Sequence, residues 1–118
     1  MQIQLPELAE GEIYLCGFVS ANGDVTHTIL LPGDSDDASW EDQVSWAKSI
    51  GGELPTRVEQ ALLWANCRES FQKDLYWSAE VYGSSLGWAW CQNFSNGGQG
   101  TVRKHSKFRA RAVRRLSI

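Results

Sequence analysis

Residues 12–20 alternate with a period of two: Ile13, Leu15 and Val19 fall on one side, Tyr14, Cys16 and Phe18 on the other. That period is the signature of a strand, and apolar residues on both faces predict a central one. Asn22-Gly23-Asp24 supplies a turn that tolerates positive φ, and residues 25–31 return as a partner strand, which predicts a β-hairpin. Pro32-Gly33 ends it. Asp34-Ser35-Asp36-Asp37 reads as a solvated polar loop, because it lacks the regular ligand spacing and distant bidentate glutamate of a calcium loop.

At Ser39 the period changes. Ser39 stands as an N-cap with Asp42 in a capping-box-like position, and Trp40, Val44, Ala47 and Ile50 follow at helical spacing as one apolar stripe. Gly51-Gly52 stops this helix, since glycine takes the left-handed C′ conformation without a Cβ penalty. Pro55 fixes the approach to a second helix, which Thr56 and Glu59 open with a Thr-x-x-Glu capping box. Its buried stripe is predicted as Val58, Ala61, Leu62 and Ala65.

Strand periodicity returns over residues 75–80 and 87–94. In the second run Trp88, Trp90, Gln92 and Phe94 share one face, with Ala89, Cys91 and Asn93 on the other. Ser-Asn-Gly-Gly-Gln-Gly at 95–100 is a turn, residues 101–105 return as a strand, and residues 108–116 form one closing strand. There Phe108, Ala110 and Ala112 alternate against Arg109, Arg111 and Val113. With no repeat, linker or low-complexity tract, residues 1–118 are expected to form one α+β domain.

A chain of 118 residues with 42% hydrophobic content can bury roughly two-thirds of its unfolded surface. Met1-Gln2-Ile3-Gln4-Leu5-Pro6 lacks the basic start and apolar run of a leader, and no stretch approaches the ~20 apolar residues of a membrane span. A cytoplasmic location without a membrane partner is the expectation. Cys16, Cys67 and Cys91 are odd in number and widely spaced, and His27 and His105 complete no zinc pattern, so reduced thiols and no metal or cofactor are expected. Charge is uneven: residues 81–118 carry seven basic residues and no acidic one. Such asymmetry marks either a face for anions or nucleic acid, or arginines that pair with acids earlier in the chain.

Four motifs in order carry a family likeness. They are Gly51-Gly52-Glu53-Leu54-Pro55-Thr56-Arg57-Val58-Glu59, then Tyr76-Trp77-Ser78-Ala79-Glu80, then Ala89-Trp90-Cys91-Gln92-Asn93-Phe94 before a Gly-rich turn, and Arg109-Ala110-Arg111-Ala112-Val113-Arg114-Arg115. Over about residues 10–118 the chain resembles the Lcl C-terminal domain family, most closely its short stand-alone phage and prophage members. The resemblance implies a C-type-lectin-like fold, related to the formylglycine-generating-enzyme architecture, in which two helices pack on a small antiparallel sheet and the N- and C-terminal strands pair. On that basis the strand with Arg109, Arg111 and Arg114 runs beside the one starting at Glu12, and internal pairing of the arginines is expected. Relatives of the fold include collagen-like adhesins that bind sulfated glycans and hypervariable phage or bacterial binding proteins, which use later strands and loops. This sequence lacks the Glu-Pro-Asn, Gln-Pro-Asp and Trp-Asn-Asp triplets of calcium-dependent lectins, the usual lectin disulfides, the paired redox cysteines of the oxidase and a collagen-like stalk. Neither calcium-dependent sugar binding nor oxidase activity carries over.

For chemistry, Glu59 is accounted for by capping and Arg57 by pairing with a neighbouring acid or carbonyl. Ser78 has no evident base for a triad, and Cys67 or Cys91 with His105 is the remaining nucleophile pairing. Residues 82–105 differ: Tyr82, Trp88, Trp90, Gln92, Asn93, Asn96, Gln99, Arg103, Lys104 and His105 bring flat aromatics, amides and cations into two strands and their loops. Sugar rings dock on aromatic faces, amides take hydroxyls and cations suit acidic groups, while nucleic acid would use the same kit. Alternation places Trp88 and Trp90 together, both in the core or both outside it. The expected function is a non-catalytic binding module for a protein, glycan or anionic ligand, with nucleic acid as a less favoured partner and a homo-oligomer left open. The alternative is a phage effector acting on a host protein inside the cell, with the virion as a second location. An enzyme comes third.

Overall fold

The computed structural model describes residues 4–117; Met1-Gln2-Ile3, on which the expectation of no leader partly rests, and Ile118 lie outside them. Gly23, at φ +91°, turns the chain between β1 (Ile13–Val19) and β2 (Val25–Leu30), as its sequence predicts. There follow β3 (Ser35–Ala38), α1 (Trp40–Ser49), α2 (Arg57–Cys67), a 3₁₀ turn at Arg68–Ser70, β4 (Leu75–Tyr82), β5 (Ser85–Asn93), β6 (Gln99–Arg103), β7 (Phe108–Ala110) and β8 (Val113–Ser117). The fold is α+β with two helices and two sheets, in the orders β1-β2-β8 and β3-β7-β4-β5-β6.

Both predicted caps form. The Ser39 side chain accepts from the Asp42 amide, and Thr56 and Glu59 complete a reciprocal capping box. In α1 the predicted stripe faces the core through Trp40, Val44 and Ala47; Ile50 is exposed, and Gln43 is buried beside them. What differs is the covered side of α2, where the buried residues are Glu59, Gln60, Leu63 and Cys67, whereas Val58, Ala61 and Ala65 are exposed and Leu62 is half-buried. Hydrophobicity misplaces that face because the buried amide and carboxylate have distant partners. Gln43 Nε2 donates to the carbonyls of Asp36 and Phe108, at 2.7 and 2.9 Å.

Several strands also depart from expectation. β1 is an edge strand, not a central one: the pairing slips between Tyr14 and Cys16, and Leu15, the extra residue of this bulge, is the one that enters the core. Ile13, Phe18 and Val19 remain exposed. The closing segment breaks in two. β7 joins the large sheet and β8 the small one, because Arg111 between them spends its guanidinium on the carbonyls of Ser70 and Leu31, at 2.6 and 2.7 Å. β8 pairs antiparallel with β2 and does not touch β1 in the ladder, so the terminal strands are neighbours of one hairpin and not of each other. The acidic loop is likewise not a solvated linker. Its residues form β3 against β7, and Asp34 accepts hydrogen bonds from Tyr76 and from Arg109, the latter at 2.9 Å.

Alternation across the large sheet creates two core clusters. Trp77, Ala89 and Cys91 meet α1 through Ala47, Trp40 and Val44; Tyr76 and Phe94 meet α2 through Leu63 and Cys67. The helices therefore lie on opposite faces of that sheet. The arginines of the last strands are internally paired, as expected: Arg109 with Asp34, Arg114 with Glu12, and Arg115 with Glu53 and Glu59.

Glu59 joins α2 to the small sheet. Its side chain is 2% exposed and accepts from Arg115 at 2.6 and 2.9 Å, from the Thr28 hydroxyl at 2.9 Å and from the Thr56 amide at 2.8 Å. Burial alone would raise its carboxyl, but the hydrogen bonds from Arg115 and Thr56 and the charge of Arg115 outweigh this and hold it below the usual carboxylate range. Removing one partner of a buried pair leaves the other unpaired, at roughly 3–5 kcal/mol. Arg115 keeps Glu53 and some solvent contact, so Glu59→Ala is expected to cost about 3 kcal/mol at neutral pH in urea unfolding. Because the folded pKa is depressed, this contribution is present in full above the ordinary glutamate pKa and is lost as pH falls through the folded value. The stability difference between wild type and variant should shrink over that acidic window and stay flat from pH 6 to 8.

Candidate ligand-binding face

Trp88, Trp90 and Gln92 lie on the face of β5 that α2 covers only at one end. Directly opposite them on β6 stand Arg103, Thr101 and Gln99, and residues facing each other across an antiparallel pair share a side of the sheet. Toward Phe94 this surface is sealed by Leu63 and Cys67. Toward Trp88 it is open: Trp88 and Trp90 are half-buried and Tyr82 is 42% exposed.

An irregularity in β4 completes the face. Trp77 pairs with Cys91 and Val81 with Ala89, so residues 78–80 oppose Trp90 alone. The bulge holds the start of α2: the Ala79 amide donates to the Pro55 carbonyl at 2.7 Å, and the Glu80 carboxylate accepts from the Arg57 amide at 2.7 Å. Arg57, first residue of α2, is thereby carried over Trp90, its guanidinium carbon 3.4 Å from the ring centroid. Its Nε donates to Gln99 Oε1 at 3.0 Å, and Gln99 Nε2 donates to the Arg57 carbonyl and to Gln92 Oε1, both at 2.8 Å. Gln92 Nε2 in turn donates to the Gln60 carbonyl at 2.6 Å, and Gln60 Nε2 to the carbonyls of Tyr76 and Trp77. Three linked side chains, Gln92, Gln99 and Arg57, thus run from the α2 backbone at Gln60 to the surface. Beside it Tyr82 packs edge-on to Trp90 at 6.0 Å, and Arg103 lies 5.3 Å from the Trp88 ring. Tyr82, Ser85, Trp88 and Thr101 line an open hollow of about 330 Å³.

Of the ten residues predicted, Tyr82, Trp88, Trp90, Gln99 and Arg103 come together on this face. Gln92 shares the face but is fully buried and acts as a support. Asn93 and Asn96 shape the turn, accepting from the amides of Ser95 and Gly98 at 2.8 Å. Lys104 and His105 belong elsewhere, lining a hollow of about 410 Å³ with Ser39, Glu41, Leu86 and Gly87 on the α1 side, where the Lys104 ammonium sits 4.4 Å from the Trp40 ring. The carbonyl expected for Arg57 is the side-chain one of Gln99, 42 residues away, and the stacking on Trp90 is unforeseen. No local signal could have shown this, because the register of β4 against β5 decides it. Ser85 and Thr101 were missed for the same reason.

The nucleophile candidates are placed as structural groups. Ser78 is buried, and its hydroxyl accepts from the Glu80 amide at 3.1 Å. Burial pushes the Cys91 thiol up to about 11 and raises Cys67, which keeps both protonated at neutral pH, while His105 is exposed. Among the described residues no group of three or more His, Cys, Asp or Glu side chains could hold a metal ion, and no helix is long and apolar enough to cross a membrane. No protein-family model matches the chain, and no curated protein matches it.

If Gln92 is the support described, Gln92→Leu removes the second donor to the Gln60 carbonyl, which keeps its helical bond, and takes the Oε1 acceptor from Gln99 Nε2. It should cost roughly 1–3 kcal/mol. Arg103→Ala, on the open end of the same face, should stay within about 0.5 kcal/mol. Chemical denaturation of the two variants checks the contrast.

Proposed function

We propose that the chain is a non-catalytic binding module of C-type-lectin-like type, and that its ligand docks on the face formed by β4, β5 and β6. Tyr82 and Trp88 provide flat apolar surface, Thr101 and Ser85 provide hydroxyls, and Arg57 and Arg103 favour a ligand bearing negative charge. The observation that carries this reading is half-buried Trp88 beside Trp90, whose ring is capped by Arg57. An aromatic pair left half-buried at the open end of the sheet, beside a hollow of about 330 Å³, forms the kind of amphipathic surface that partners with rings or aromatic anchors use. The lectin-like part is supported by two helices between an N-terminal hairpin and a last strand that returns to that hairpin. A hollow of this volume suits one or two sugar rings, and a glycan is the ligand class we favour.

The test is retention on a glycan array by wild type and by the double variant Trp88→Ala, Arg103→Ala, with circular dichroism as the check on folding. Wild type should retain a subset of glycans, and the folded double variant should lose affinity by roughly tenfold or more. Equal retention by both proteins would move the site off this face. Capture of DNA or RNA with a steep salt dependence, and of no glycan, would make the partner a nucleic acid.

A further inference from the structure

Arg57 differs from the other strongly held arginines of the chain. Arg109, Arg114 and Arg115 each end on carboxylates, and Arg111 ends on two carbonyls. Arg57 is held as firmly by different means: stacking at 3.4 Å on Trp90 below, and Nε bound to Gln99 at its side. Gln99 cannot yield freely, since its own amide is fixed to the Arg57 carbonyl and to buried Gln92. Among the described residues the two Nη atoms have no hydrogen-bond partner and lie in no ion pair. Glu80 accepts from the Arg57 backbone amide through one carboxylate oxygen and forms no ion pair with the guanidinium.

A guanidinium with Nε occupied and its outer nitrogens free presents a planar fork. That geometry matches the two oxygens of a carboxylate or phosphate, and arginine makes such pairs bidentate where lysine offers only a point charge. Most surface arginines must give up side-chain freedom to bind. Arg57 has already been ordered by folding, and the indole beneath it excludes water from one side of the pair. Arg103 supplies a second cation on the same face with no carboxylate partner among the described residues.

We propose that Arg57 is the acid-recognition group of this face, and that the ligand presents a carboxylate or phosphate to its open fork. This rests on the reading of the β4–β6 surface as a binding face and adds the chemical group that its ligand must carry. The amide chain from Gln60 through Gln92 and Gln99 serves to aim it.

The experiment is an NMR titration of the isotopically labelled protein with sodium acetate and, separately, inorganic phosphate, against sodium chloride at matched ionic strength. The reporters are the Arg57 Nε–H and Trp90 indole N–H signals. Acetate or phosphate should move both saturably while chloride does not, and the stronger of the two identifies a carboxylate or a phosphate as the natural group. In Arg57→Lys the Trp90 response should weaken by roughly tenfold or more in affinity, whereas Arg103→Gln should weaken it less. Chloride-like, unsaturable shifts, or an unchanged response in Arg57→Lys, would overturn the assignment. The glycan array separates this failure from failure of the face itself: undiminished retention by Arg57→Lys leaves the face in place and removes Arg57 as its acid-binding group.

Discussion

A single buried carboxylate ties the molecule together. Glu59 caps its own helix, accepts from Thr28 on β2 and receives the Arg115 guanidinium from β8, so one side chain fixes α2 to two strands of the small sheet. A carboxylate this deep is tolerable only because every lone-pair direction is used and a cation lies against it. Its neighbours inherit the placement. Gln60, one residue on, reaches the backbone of β4, and Arg57, two residues back, reaches β5 and β6. Shifting α2 along the sheet would break the pair and the surface chain together.

The same placement decides what the large sheet leaves open. α2 seals Tyr76 and Phe94 but leaves Trp88 half-buried. The exposed end keeps aromatic area that the core could have used, and it is bordered by Arg57 and Arg103, whose guanidinium groups lie in no ion pair among the described residues. Elsewhere the arginine-rich C-terminal segment is neutralised by Asp34, Glu12, Glu53 and Glu59. Of the seven basic residues behind the charge asymmetry, Arg109, Arg114 and Arg115 are paired with acids from earlier in the chain; Arg103 joins Arg57 on the open face.

Features set by neighbours in sequence were legible in advance. The Ser39 and Thr56 caps, the Gly23 turn and the strands of the aromatic region needed only local chemistry. The α1 stripe was legible too, through Trp40, Val44 and Ala47, but the buried face of α2 was not, since Glu59 and Gln60, like Gln43 in α1, look like surface residues until partners 7 to 65 residues away come into reach. The Arg111 break was hidden in the same way: alternation runs smoothly through Ala110 and Ala112, and only the carbonyls of Ser70 and Leu31 divert the chain. Half of the candidate site could be read from β5 and β6, which are close in sequence. Arg57 could not, because a two-residue slip between β4 and β5 is what brings it to Trp90.

Folding itself fixes Arg57 upon Trp90. The Nε–H of that arginine, observed in the free protein, reports on it directly. The expected result is a resolved Nε–H signal that exchanges slowly with water at neutral pH, with side-chain protons shifted upfield by the indole ring current and both features lost in Gln99→Ala. An Arg57 signal averaged to the position and exchange rate of a solvent-exposed arginine would contradict it.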